Sequence, residues 1–206
     1  MSKENMSVLE LMKEAVRILE EKEAAEKVCK LSELQPGDIF KADIYRFIVR
    51  EQYGGTTGVM MIGCWGSEDR TFHEGGCPEY KSSSIKAHYD GPILETLEAV
   101  FGAENIIEDV VDLTTMDGQK DFGTVRCKVH PPTFDEWRQC SPFFEKGDFE
   151  SWFWTCTPWS TPDRGFDYSV AVVYTDGALN NRHTANNAYA EAVACILSSA
   201  IMVEKE

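Results

Sequence analysis

Positive charge is scarce in this sequence, which has 20 Lys and Arg against 35 Asp and Glu and a net charge of −15. Nucleic-acid-binding proteins use Lys and Arg to displace counterions from phosphates, and anionic membranes attract the same side chains. The charge balance therefore argues against direct nucleic-acid binding and against docking on a membrane. A large charge of one sign favours solubility, and it also suits contact with a basic partner.

Long apolar runs and targeting signals are also lacking. No stretch approaches the roughly 18 apolar residues of a membrane span, and residues 1–7 show no apolar core of a signal peptide. We therefore expect cytoplasmic synthesis and no membrane span; a virion component assembled in the cytoplasm would look the same. The seven cysteines are odd in number and scattered, so we expect free thiols.

No repeat, low-complexity segment or Pro- and Ser-rich linker divides residues 31–206. We predict one domain over 31–206, preceded by an appended N-terminal helix within 1–30. The glycines of Gly54–Gly58 lack the Lys and Ser/Thr that complete a phosphate-binding loop. We interpret this segment as a hairpin connection.

Metal-binding and cofactor signatures are weak. Zinc sites usually show paired Cys or His ligands at short spacing, and calcium sites need a clustered set of oxygen ligands. Neither pattern is present, so we expect no metal and no cofactor. The nearest approximations are Cys64, His73, Cys77 and His88 for zinc, and Asp163, Asp167 and Asp176 for calcium.

A cysteine nucleophile needs a nearby histidine and an orienting group. Cys156 is the best-placed candidate, with His130 or His183 as possible bases. No sequence signature supports this arrangement, and a thiol within a tryptophan-rich strand is more often a core residue. We therefore predict that the chain is not an enzyme and keep a cysteine-dependent enzyme as an alternative.

Residues 7–29 predict one amphipathic helix. Ser7 and Glu10 have the spacing of a capping box, and apolar residues recur at three- and four-residue steps. This seam either packs on the body of the same chain or holds several copies together. We favour a homo-oligomer. The seam consists of Leu9, Met12, Val16 and Leu19.

The rest of the chain is organised around residues 151–197. Apolar runs bounded by Gly, Asp, Asn and Pro predict buried strands, with Trp152 and Trp154 on one face of the first strand. Asp176 and Gly177 predict a tight hairpin turn. With further short strands and two or three helices upstream, including one over Thr133–Cys140 with a capping box, the fold class is α+β with antiparallel sheets.

This region also carries a resemblance. A Trp followed by Thr/Ser and Pro, a valine-rich strand, an Asp-Gly turn, an Asn-rich loop and a final apolar strand resemble an uncharacterised domain family. Similar segments lie upstream. They are Leu31–Asp38, Tyr80 with Ser84 and Ile85, and Pro132–Trp137.

That family occurs in Gram-positive gut bacteria and their phages and is distantly related to the C-type-lectin-like fold, which includes formylglycine-generating enzymes. The resemblance covers about residues 30–203 and implies a C-type-lectin-like α+β domain of bacterial or phage origin. Ala190–Val193 stands where the family usually has Gly-Val-Arg-Pro. No role of that arginine can therefore be carried over.

The loop from Asn180 to Tyr189 has the most binding-like composition, since Asn, Tyr and Arg supply adaptable hydrogen bonds and rigid aromatic area. We predict a non-enzymatic recognition protein that contacts a protein or glycan ligand. An acidic cytoplasmic phage effector that blocks a basic host protein handling nucleic acid is the alternative. The predicted ligand-contacting residues are Trp159, Asn180, Asn181, Arg182, His183, Asn186, Asn187 and Tyr189.

Overall fold

A computed structural model describes residues 8–166 and 168–206, with residues 19–26 by their backbone alone. The chain is α+β with mostly antiparallel sheets, as the sequence predicts. Ser7 of the predicted capping box and Asp167 lie outside the described residues. The capping box of Thr133 and Glu136 is present at the start of a helix.

The helices differ in length and in burial. Pro92 suits the first turn of a helix and Gly102 its C-terminal stop. This stretch is helical, with a kink at Gly91 and Pro92, and Gly102 takes a positive φ of 84° beyond the last turn. The four α-helices are α1 Val8–Lys27, α2 Ser84–His88, α3 Leu94–Phe101 and α4 Phe134–Cys140.

The first sheet joins both ends of the chain to its middle. Its strands are β1 Val28–Lys30, β2 Ile39–Ala42, β3 Tyr45–Tyr53, β4 Thr56–Ile62, β6 Ile106–Ile107, β9 Val129–His130, β14 Ala194–Ser198 and β15 Met202–Lys205. The order is β1-β15-β2-β3-β4-β14-β6, with β9 also paired to β14. Val28 and Cys29, predicted to end the N-terminal helix, instead belong to β1, which pairs with the C-terminal strand.

The second sheet carries the tryptophan strand at its centre. Its strands are β5 Trp65–Thr71, β10 Phe153–Pro158, β11 Ser169–Val173, β12 Leu179–His183 and β13 Ala188–Glu191. The order is β12-β11-β10-β13-β5, and β10 and β13 run parallel. A separate hairpin pairs β7 Asp109–Asp112 with β8 Thr124–Cys127.

Two loop predictions are wrong. The asparagine-rich segment predicted as a loop is a strand, a turn and another strand, because Asn180–His183 pairs along β11 after the tight turn at Gly177. The polar, Gly-containing sequence of residues 66–83 predicts an irregular surface loop, but its first six residues belong to strand β5. Both are edge strands of the second sheet, so they bury little apolar surface and lack the hydrophobic pattern of a core strand.

Two hydrophobic clusters lie on opposite sides of β10. Trp154 enters the larger cluster, with Phe47, Tyr89 and Val172. Phe153 enters the smaller one, which includes Trp137 of α4. Successive side chains of a strand point to opposite faces, so a central strand covered on both faces is mostly apolar, and the buried Thr155 and Thr157 are the polar residues of β10.

Helix α1 exposes its apolar residues over the part whose side chains are described. Leu9, Met12 and Val16 are 62%, 63% and 53% exposed, respectively. This seam therefore does not pack on the body of its own chain. The fourth seam residue, Leu19, has no described side chain. No described helix is long and apolar enough to cross a membrane.

Trp154 is fully buried, whereas Trp152 is half-buried on the same face. We expect Trp154→Ala to lower the free energy of unfolding by about 3–5 kcal/mol, because it removes a large side chain from a packed core. Trp152→Ala is the matched control and should cost clearly less. Urea denaturation of both variants checks this, and equal losses would contradict the assignment of Trp154 as the anchor.

Candidate functional site

One face of the second sheet changes from buried to half-exposed along its strands. Val172 pairs with Asn180 and Val170 with Arg182, so these polar side chains share the face of Trp154. On the same face, Tyr189 lies on β13, beside Trp152 and Trp154. The sheet thus extends its hydrophobic face into a polar and aromatic surface.

Arg182 is the centre of this surface. Its Nε donates to the hydroxyl of Tyr189 at 3.0 Å, and an Nη2 hydrogen goes to the hydroxyl of Tyr174. Its guanidinium carbon lies 5.2 Å from the Trp152 ring and 5.5 Å from the Tyr174 ring, and these two rings stack at 3.8 Å. Cation–π attraction and hydrogen bonds together fix the guanidinium. We call Trp152, Tyr174, Asn180, Arg182 and Tyr189 the arginine–aromatic face.

Arg182 differs from the other arginines in its charge environment. Within the described residues, it is the one arginine without a carboxylate partner. The seven paired arginines are Arg17, Arg46, Arg50, Arg70, Arg126, Arg138 and Arg164. In a chain of net charge −15, an arginine held by aromatic rings without an acid keeps its charge available to a ligand.

The edge of β12 is closed by its own side chains. The N–H of Asn181 donates to Oδ1 of Asn180 at 2.8 Å, and the carbonyl of Asn181 accepts from Nη1 of Arg182 at 2.7 Å. Free backbone groups on an edge strand would otherwise invite pairing with another strand. The surface is therefore built for side-chain contact more than for strand addition.

The predicted ligand-contacting residues fall into two groups. The structure brings Asn180, Arg182, Asn187 and Tyr189 together, and Tyr189 donates to Asn187 at 3.3 Å. The other four lie elsewhere. Asn181 and His183 alternate to the opposite face, Asn186 is exposed in the turn, and Trp159 follows the far end of β10, roughly 20 Å along the strand from Trp152.

Trp152 and Tyr174 belong to this face but are not among the predicted ligand-contacting residues. The sequence pattern places them only in buried strands. Trp152 lies two residues before the buried Trp154, and Tyr174 lies two residues after the buried Val172. Strand alternation places them on the same face as those core residues. A large aromatic residue at the strand end, in phase with the core, is the signal that identifies them.

A polar cluster lies farther along the same sheet. Glu191 is 1% exposed. Its Oε1 lies 2.7 Å from Nδ1 of His88, and its Oε2 lies 3.4 Å from Nε of Arg70. Burial raises the pKa of Glu191, although the hydrogen bond from His88 and the charge of Arg70 oppose the rise. The contact between Glu191 and Arg70 joins β13 to β5, and Trp154 ties β10 to the same strand by donating its indole N–H to the Arg70 carbonyl at 2.7 Å.

A second polar cluster lies where β3, β7, β9 and α4 meet. Arg50 reaches Oε1 of Glu136 at 3.0 Å, and Nδ1 of His130 lies 3.6 Å from Oε2 of Glu136. The other ring nitrogen, Nε2, lies 3.9 Å from Oδ2 of Asp109. Arg50, Asp109 and Glu136 line a pocket of about 430 Å³.

Glu136 is ionised in this cluster despite its burial. Burial raises the pKa of Glu136, but His130, Arg50 and the hydrogen bonds from Thr133 outweigh that effect and hold it below the ordinary value. Burial lowers the pKa of Arg50, but the carboxylates of Glu136 and Glu51 have the larger combined effect. The pKa of Arg50 is therefore raised above its ordinary value. The pair is therefore charged, and each partner depends on the other.

Cys156 has none of the features of a nucleophile. It is fully buried, and burial raises the pKa of its thiol well above the ordinary value. Nearby Glu136 and Cys127 raise it further. Since the thiolate is the reactive species, this environment suits a core thiol.

The zinc-ligand set considered from sequence is not assembled in the part of the chain that the structure describes, and Asp167 of the calcium set lies outside that part. His88 is bound to Glu191, and His73 accepts from the N–H of Gly75. Among the described residues, only Asp109, His130 and Glu136 form a group of three whose potential ligand atoms all lie within 4.8 Å of one another.

Compared with known protein families, curated proteins and solved structures, the chain gives no match in any of the three.

The thiols give a direct test of chemistry at Cys156. Cys127, Cys140, Cys156 and Cys195 are buried, and burial raises the pKa of Cys127, Cys140 and Cys195 to about 12. A raised pKa lowers the thiolate fraction at pH 8. We expect the native chain to react with Ellman's reagent at the half-buried Cys29 and Cys77 and more slowly at Cys64, because burial raises the pKa of Cys64 to about 11, and all seven thiols to react after unfolding. Rapid native labelling of Cys156, located by peptide mass spectrometry, would instead favour an enzyme.

Proposed function

We propose that this chain is a non-catalytic recognition protein that binds a protein partner through the arginine–aromatic face. The observation that carries the proposal is Arg182, held over Trp152 between two tyrosine hydroxyls and without an acidic partner among the described residues. Trp, Tyr and Arg are the residues most enriched at the energetic centres of protein interfaces.

The face is rigid before any ligand arrives. Three of the five guanidinium N–H groups of Arg182 bind Tyr174, Tyr189 and the Asn181 carbonyl. The other two have no partner among the described residues and are available for a carbonyl or carboxylate of the partner. A side chain that is already ordered loses little entropy on binding, so its contacts contribute more fully to affinity.

The finer fold that we propose for this role is C-type-lectin-like, in a protein of bacterial or phage origin that is displayed on a virion or a cell surface. Short antiparallel strands with a central tryptophan strand support the fold. In such an arrangement, loops and strand ends can vary around a stable sheet, which is how binding surfaces commonly arise.

The net charge of −15 favours a second candidate, an acidic effector that blocks a basic host protein. Such binding would act through distributed charge and would weaken steeply with salt. Binding through the arginine–aromatic face depends on one packed site and should respond mainly to Arg182. The two candidates therefore differ in the sensitivity of binding to salt and to single substitutions.

A photo-crosslinking amino acid at position 180 would capture the partner, and calorimetry with the purified partner would then measure affinity. We expect Arg182→Ala to weaken binding about 30-fold or more, as removal of a central interface residue does. Asn181→Ala is the matched control, because it lies next in the strand but on the opposite face. The Asn181→Ala variant should bind the partner with an affinity near that of the parent. The melting temperatures of Asn181→Ala and Arg182→Ala should also stay near that of the parent.

Equal affinity of Arg182→Ala and the parent would contradict the proposal. If that result came with a steep loss of affinity in salt, it would favour the acidic effector. Binding to an array of glycans that Arg182→Ala abolishes, without capture of any protein, would replace the protein partner by a glycan.

We also propose that α1 joins copies of this chain. Its seam residues Leu9, Met12 and Val16 are exposed together, and an amphipathic helix with an uncovered seam is stabilised when a second copy covers it. The second copy supplies the same seam, so the two surfaces are complementary without any further partner.

Light scattering on the full chain tests this. We expect a mass above that of one chain for the parent and the mass of one chain for Met12→Lys, because a charge in the seam opposes its burial. Lys13→Ala, one residue away and off the seam, should associate like the parent. A monomeric parent at high concentration would rule out the association.

A further inference from the structure

His130 is fully buried, and its ring has two different environments. Nδ1 lies 2.9 Å from the Pro131 carbonyl. A carbonyl can only accept, so Nδ1 carries the hydrogen. In the neutral imidazole, the lone pair then sits on Nε2, which has no hydrogen-bond partner among the described residues. Buried polar atoms are nearly always satisfied by protein, water or an ion, so this nitrogen needs a partner that the described residues do not supply.

We propose that His130, Asp109 and Glu136 bind a divalent transition-metal ion, with Nε2 of His130 and a carboxylate oxygen of Asp109 as the central ligands. These two atoms lie 3.9 Å apart. In a tetrahedral site with bonds of about 2.0–2.2 Å, two ligand atoms lie about 3.4 Å apart, so an approach of about half an ångström by the Asp109 carboxylate would let one ion bridge the pair. Donation of the other ring N–H to a backbone carbonyl is the usual way in which a metal-binding histidine is oriented.

The charges of the cluster leave room for a cation. Arg50 is held by Glu136 and Glu51. The carboxylate of Asp109 then remains without a cation of its own among the described residues and lies beside the adjoining pocket. A second lone pair on each Glu136 oxygen can still reach an ion, although these oxygens already accept from Thr133 and Arg50.

The pocket supplies the remaining coordination positions. It opens beside Asp109 and Glu136 and is lined by the side chains of Thr114, Thr115 and Thr157. Water from the pocket can complete the coordination of an ion that has two or three protein ligands. Mixed imidazole and carboxylate ligands suit Zn²⁺ and Mn²⁺ better than Mg²⁺ or Ca²⁺, so the site departs from the sequence-based expectation of no metal.

The test uses Mn²⁺ as the probe, because Mn²⁺ prefers nitrogen and oxygen ligands and avoids the seven thiols. The full chain is stripped with a chelator, and free Mn²⁺ is followed by electron paramagnetic resonance during titration. We expect one ion per chain, displaced by Zn²⁺. Asp109→Asn should weaken Mn²⁺ binding at least about tenfold.

Asp112→Asn is the matched control, since it makes the same change on the same strand and in the same pocket. It should bind Mn²⁺ within about twofold of the parent, a change well below the tenfold loss of a ligand-sphere substitution. Asp109 is partly exposed at its strand end, so its replacement tests the site without emptying the core, as His130→Ala would. Absence of saturable binding in the parent, or equal binding by Asp109→Asn, would overturn the proposal.

Discussion

The burial of β10 on both faces is the constraint on which the rest of the structure depends. Phe153 and Trp154 are adjacent and fully buried, yet they enter different hydrophobic clusters. A one-residue slip of this strand would exchange the two and leave neither cluster properly packed. The pairing of β10 with β11 and β13 is therefore fixed, and so is the alternation that brings Trp152 and Arg182 to one face.

The buried ion pair of Arg50 and Glu136 adds a second constraint of a different kind. It ties the first sheet to α4, and each charge would be costly to leave alone in the interior. The same carboxylate accepts the N–H of Thr133 as part of the capping box. One side chain thus satisfies a helix terminus and neutralises an arginine, and it also lies beside His130. Packing alone would place α4 less exactly than this set of directional contacts does.

The sequence pattern predicts what depends on local chemistry. It gives the buried strands, the turn at Gly177 and the capped start of α4, because hydrophobic period, glycine conformation and cap residues are encoded by neighbours. It fails where an element depends on distant partners. Strand β12 is polar and becomes a strand only because β11 lies beside it, and the cluster around His130 joins residues from four separate elements. Composition identifies the segment that holds the predicted ligand residues. Strand alternation then sends neighbouring residues of that segment to opposite faces, so only half of the predicted residues share one face.

This division also separates the two candidate sites. The arginine–aromatic face is a cation without a carboxylate, built on the outer end of a stiff sheet and open to a partner. The cluster around His130 is a set of carboxylates with a buried nitrogen, closed by packing and open only through its pocket. Each site has a local charge distribution of its own within an acidic chain. On the arginine–aromatic face, a positive charge is kept away from carboxylates. In the cluster around His130, carboxylates surround a ring nitrogen. Arg182 has no carboxylate partner among the described residues although the chain is strongly acidic, and this is the physical argument for a ligand that supplies an acceptor to its guanidinium.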